Sequence, residues 1–174
     1  MSFSKSLLAS ALIGFSFLIS AHKTIIRPAV GDIAPEISLR NINGDTISLS
    51  SLRGKVVYID FWASWCGRCR VENKTIREAY KNFNSKKFSI GNGFDVFSVS
   101  LDTDSSQWAR AIQKDQLIWE NHVCDFKKWE SPLVEKYNFR YLPHNLVIDD
   151  QGVIVAKGLF GSKLEEFLTS HLAE

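Results

Sequence analysis

Two cysteines separated by two residues, Cys66 and Cys69, stand where a hydrophobic run gives way to a helical pattern. Sulfur at that spacing can open and close a disulfide locally, because positions i and i+3 in the first turn of a helix share a face. Downstream, Ile76, Ala79, Tyr80 and Phe83 recur at three- and four-residue steps, so a helix is expected from near Cys66 to about Phe83. A thiol at a helix start meets unpaired N–H groups and the positive end of the dipole, both of which favour its thiolate. Cys66, the first of the pair, is the expected exposed nucleophile. Along the apolar stripe Ile76 lies above Glu72, which turns Cys69 inward as the buried resolving thiol.

These residues need a scaffold. Lys55–Ile59, bounded by Arg53-Gly54, is a β-branched and aromatic run of strand length and reads as a buried central strand. Phe94–Leu101 is expected as a second, with "NSKKFSIGNG" before it as a loop. Asp102-Thr103-Asp104-Ser105 can cap a helix continued by Trp108, Ala111 and Ile112. A short strand near His122–Cys124 and a helical segment near Leu133–Tyr137 follow. Asn145–Ile148 and Val153–Ala156 then form a hairpin across Asp149-Asp150-Gln151-Gly152, and Lys163–Leu172 closes the chain as a helix. Strands alternating with helices imply parallel pairing.

The run "VVYIDFWASWCGRC" resembles the active-site strand, turn and helix of the thioredoxin superfamily, and the pieces around it resemble the exported TlpA/ResA-like thiol-disulfide oxidoreductases. "GDIAPEISLRNINGDTISLSSLRGK" is similar to that family's N-terminal hairpin, "CRVEN" to its acidic continuation, and "YLPHNLVIDDQGVIV" to its cis-proline loop and hairpin. The resemblance implies an α/β thioredoxin-like fold, a central mixed β-sheet flanked by helices with an added N-terminal β-hairpin. It implies that Pro143 is cis, faces the cysteine pair and, with Leu142, leaves a backbone edge for an extended client peptide. Asp60 matches the family's buried aspartate, a proton acceptor for Cys69 whose pKa burial would raise. Glu72 matches the family's acid and would modulate the thiols' proton affinity. Gly67-Arg68 departs from the usual Gly-Pro or Glu-Pro between the cysteines, and Arg68 should favour the thiolate. Trp65 is expected on the docking surface and Trp62 in the core.

On this reading the chain reduces protein disulfides by dithiol/disulfide exchange and needs no organic cofactor or metal. Oxidised client proteins, with apocytochrome c one family candidate, and a membrane electron donor resembling DsbD or CcdA are the implied partners. A disulfide-donating oxidase is the alternative. A peroxidase on the same fold is a third reading, one that usually lacks "WCGRC". A copper-delivery protein using Cys66, Cys69 and His144 is the fourth, His144 standing where the family usually has a small residue.

Composition limits the rest. Lys and Arg number 21 against 19 Asp and Glu, a near-neutral balance that argues against a nucleic-acid surface. Residues 1–21 hold one charge, Lys5, around a short apolar core, and read as a signal peptide cleavable after Ala21 or as an uncleaved membrane anchor. Residues 22–34 are expected as a tether and 35–174 as one thioredoxin-like domain. The expected place is the periplasm, soluble or anchored, as a monomer. Three cysteines cannot make a dense disulfide framework. The odd one, Cys124, reads as a small buried residue at a strand end.

Overall fold

The computed structural model describes residues 27–174; the expected leader and the start of the tether lie outside them. The sheet is built around β3 (Val56–Trp62), all seven of whose residues are buried. A run such as Val-Val-Tyr-Ile-Asp-Phe-Trp suits a strand covered on both faces. On one side β3 pairs in parallel with β6 (Phe94–Ser100), and β6 with β7 (Asn121–Cys124). On the other side it pairs antiparallel with β8 (His144–Ile148), and β8 with β9 (Ile154–Lys157). The order β7-β6-β3-β8-β9 makes a mixed five-stranded sheet. Two strands, β1 (Ser38–Arg40) and β2 (Thr46–Ser48), form the separate N-terminal hairpin.

Helices fill the connections. α1 (Gly67–Phe83) links β3 to β6, α2 (Ser105–Asp115) links β6 to β7, and the short α3 (Pro132–Lys136) precedes β8. α4 (Ser162–Ser170) ends the fold and packs against α1. Asp104, not Asp102, caps α2, its carboxylate accepting from the N–H groups of Ser106 (2.8 Å) and Gln107 (3.0 Å). Trp62, Trp108, Tyr58, Phe61 and Phe97 are among the largest fully buried side chains. Among the described residues, no helix is long and apolar enough to cross a membrane.

Two segments differ from expectation. The loop expected before β6 contains a small hairpin, β4 (Lys87–Phe88) with β5 (Gly91–Asn92). Phe88 draws it inward against Phe83, and Gly91 lies so close to β3 that a Cβ there would stand 2.9 Å from the Val56 nitrogen. The end of the expected tether, residues 28–34, is docked on the domain: Gly31 N–H donates to Ile154 O (2.9 Å), Ala34 N–H to Gly152 O (2.9 Å), and Lys157 Nζ to Pro28 O (2.7 Å). Hydrogen bonding to an otherwise open strand edge is the physical reason.

His122 on β7 is buried and stacked on Trp119 with ring centroids 5.2 Å apart. Burial lowers its pKa to about 4. Its neutral form is therefore the folded one. The associated stability is complete above the ordinary histidine pKa of about 6.5 and is lost as pH falls from there toward 4. Thermal melts should fall across that window, and His122→Phe should remove about 3 kcal/mol of the loss. Unchanged acid sensitivity in the variant would show that the loss originates elsewhere.

Candidate functional site

β3 delivers the site and α1 receives it. After Trp62 the chain turns through Ala63–Trp65, and Cys66 occupies the N-cap of α1 with extended backbone (φ −84°, ψ 98°). Its Sγ accepts from Cys69 N–H at 3.2 Å, so the sulfur lies on the unpaired donors of the first turn. Cys66 and Cys69 are joined as a disulfide, with Cα atoms 5.2 Å apart. Cys66 retains 8% exposure and Cys69 1%. The expected order of access holds, but Cys66 is largely covered rather than open.

Asp60 comes from β3 itself. It is 2% exposed, so the strand end does not carry it to solvent, and its Oδ2 has no hydrogen-bond partner among the described residues. Burial, and after it the charge of Glu72, raises its pKa to about 8. Glu72 is half-buried. Its Oε1 accepts from Gly161 N–H at 2.8 Å, just before α4, and it pairs with neither Arg68 nor Arg77. The inward stripe of α1 runs Cys69, Asn73, Ile76, Ala79, so Asn73 occupies the line expected for Glu72. A polar residue on the stripe is invisible to an apolar-periodicity reading. Its Nδ2 donates to Asp115 (2.8 Å) on α2.

Around the sulfurs, Gly67 and Arg68 are exposed, and Arg68 forms no ion pair among the described residues. Trp65 is 47% exposed, 6.5 Å from the Trp129 ring, with Lys128 Nζ 5.4 Å over its face. Trp62 is buried. The Leu142–Pro143 peptide is cis, in line with the resemblance. Leu142 and Pro143 border an open groove of about 600 Å³ together with Arg68, Val71, Tyr141 and Phe160. The last three were not legible, because they come from α1, the loop before β8 and the loop after β9, which only the fold brings together.

His144 is directed elsewhere. Its ring stacks on Phe139 with centroids 5.0 Å apart, and burial, then Lys157, lowers its pKa to about 4. Among the described residues, no three His, Cys, Asp or Glu side chains could hold a metal ion, so His144 is not gathered into a ligand set with Cys66 and Cys69. Cys124 is buried at the end of β7, and burial pushes its thiol up to about 11. It is a poor nucleophile at neutral pH.

A family model described as the AhpC/TSA family matches residues 30–157. The thiol-disulfide oxidoreductase ResA of a Bacillus cereus strain is 27% identical over 143 residues, covering 82% of this chain and 76% of that protein. ResA of Bacillus subtilis (strain 168) is 27% identical over 142 residues, 82% of this chain and 73% of its own. Among solved structures, the thioredoxin domain of a thiol-disulfide oxidoreductase from Bacteroides vulgatus matches with a TM-score of 0.74 and 33% identity, over 82% of this chain and 96% of that one. A thiol-disulfide oxidoreductase from Bacteroides fragilis NCTC 9343 matches with a TM-score of 0.67 and 32% identity, over 80% and 98%.

Proposed function

Since this chain belongs to the AhpC/TSA family and is a thiol-disulfide oxidoreductase, we propose that its working direction is reduction of protein disulfides, outside the cytoplasm, through Cys66 and Cys69. The observation that carries the reading is a closed Cys66–Cys69 pair on a helix start beside a buried carboxyl, Asp60, held above its ordinary pKa. In the reduced enzyme, Cys66 thiolate attacks one sulfur of the client disulfide, forming a mixed disulfide and expelling a client thiolate. Asp60 carboxylate takes the proton of Cys69. The Cys69 thiolate then attacks Cys66 Sγ, closing the enzyme disulfide and releasing the second client thiolate. Two electrons pass to the client, the Cys69 proton rests on Asp60, and the two client thiolates take their protons from solvent. Glu72 raises the proton affinity of Asp60 through its charge. An electron donor must then reopen the pair, and a membrane dithiol carrier resembling DsbD or CcdA fits that need. Apocytochrome c is one client of suitable chemistry.

Trp65, Gly67 and Arg68 beside the pair, and Leu142 and Pro143 at the cis peptide, are the residues assigned to client binding, and the open groove that Arg68 borders with Leu142 and Pro143 suits an extended client segment. One observation favours the opposite direction: Arg68, between the two cysteines, is exposed and free of ion pairs among the described residues, which leaves its charge available to a Cys66 thiolate, and a dithiol stabilised in that way would be a stronger oxidant. The reduction potential of the Cys66/Cys69 couple, equilibrated against glutathione and dithiothreitol buffers, decides between them. A reductase should lie near or below about −230 mV. A value near about −120 mV would make the chain a disulfide donor and overturn the proposed direction. Consumption of peroxide by the purified chain without a disulfide substrate would instead support the peroxidase reading.

A further inference from the structure

Ser64, two residues before Cys66, is held by all three of its polar groups. Its N–H donates to Asp102 Oδ2 at 2.9 Å and its hydroxyl to Asp102 Oδ1 at 2.5 Å. Its carbonyl accepts from Arg70 Nη1 at 3.2 Å. Asp102 is 1% exposed and sits just beyond β6, where it also accepts from the Ser100 hydroxyl at 2.6 Å. Arg70 follows Cys69 directly, and its guanidinium is gripped by Asp115 of α2 through Nε and through Nη2 (2.6 Å). Residues 64 and 70 therefore bracket the segment Trp65–Cys69, and the bracket is bolted to the neighbouring parallel strand and helix.

We propose that Asp102 is a positioning residue for Cys66, acting through Ser64, with Arg70 closing the bracket from the far side of the cysteine pair. Cys66 Sγ gains from the α1 donors only while Cys66 stays at the N-cap, where it accepts from Cys69 N–H. Among the described residues, the chain leading into the cap is a turn closed by Cys66 N–H to Ala63 O (3.0 Å), without strand partners of its own beyond Leu101 N–H to Trp62 O. A buried carboxylate that accepts both the N–H and the hydroxyl of Ser64 fixes that turn more firmly than neutral bonds would. The role is independent of the direction in which electrons flow, so it stands or falls apart from the reductase reading.

The test measures the pH dependence of Cys66 alkylation in the reduced protein, and the reduction potential, for Ser64→Ala, Ser64→Thr, Arg70→Lys and Asp102→Asn. Neither serine change nor Arg70→Lys alters formal charge, so a shift reports position. Ser64→Ala and Arg70→Lys should raise the apparent pKa of Cys66, slowing alkylation at neutral pH about three- to tenfold, and should lower the reduction potential; Ser64→Thr should restore both. Asp102→Asn is the sharper case, because deleting a nearby negative charge lowers a thiol pKa whereas loosening the cap raises it. A rise supports positioning. Unchanged alkylation and potential in Ser64→Ala and Arg70→Lys, with only the melting temperature reduced, would overturn the proposal, as would a fall in Asp102→Asn. Should Asp102→Asn fail to fold, the Ser64→Ala and Ser64→Thr pair still decides.

Discussion

Cys66→Ser should abolish disulfide exchange, with turnover of a protein disulfide down about 10⁴-fold or more, and should trap no client. Cys69→Ser should lose turnover to a similar degree but accumulate a client joined through Cys66, visible on a non-reducing gel and released by dithiothreitol. The asymmetry follows from position. Cys66 caps α1 with its sulfur on the first-turn N–H of Cys69 and keeps 8% exposure, whereas Cys69 on the inward stripe keeps 1%. Serine at 66 removes the attacking atom. Serine at 69 leaves the first exchange intact and removes the atom that would resolve it. Trapping by Cys66→Ser, and none by Cys69→Ser, would reverse the two roles.

The features that a local pattern can carry were legible, and those that depend on the meeting of distant segments were not. The β-branched run before Cys66 announces β3, and the three- and four-residue apolar steps after it announce α1, because both periods are properties of neighbouring residues. Observed β3 runs on through Asp60, Phe61 and Trp62, beyond the expected end at Ile59. Asp60 on that extension is buried, as a carboxyl six residues before Cys66 on a strand covered on both faces must be. Other assignments shifted. In Asp102-Thr103-Asp104-Ser105 two aspartates two residues apart both satisfy the capping pattern; Asp104 takes the cap and Asp102 turns back to Ser64, thirty-eight positions earlier in the chain. Asn73 displaced Glu72 from the inward line of α1 because its amide finds Asp115, a partner on another helix. Glu72 instead reaches the N–H of Gly161, eighty-nine positions away. No spacing rule encodes such pairs.

Asp60→Asn should have the next largest effect, and it should appear in two pH-dependent readouts. In exchange kinetics, the wild-type rate of resolving the mixed disulfide should rise with pH as Asp60 ionises toward its pKa of about 8. The variant should resolve about 10²-fold more slowly near neutrality, accumulate mixed disulfide, and lose that inflection, its rate climbing only as Cys69 ionises unaided. Glu72→Gln tests the same chemistry from the other side: the charge of Glu72 is the second cause of the raised pKa, so the inflection should move to lower pH. In stability, the sign runs against the ordinary carboxylate case. Folded Asp60 holds its proton up to about pH 8 while an unfolded aspartate loses it near 3.9, so between these values the folded chain binds more protons and stability falls as pH rises. Asparagine carries no such proton. The difference in unfolding free energy between Asp60→Asn and wild type should therefore shift in favour of the variant by on the order of 5 kcal/mol between pH 4 and pH 8, and hold constant above. Parallel stability curves would place the proton on another group. An unchanged kinetic profile would remove Asp60 from the resolving step and leave Cys69 to ionise through solvent, with the buried carboxyl then serving the fold at a cost in stability that the melts would still report.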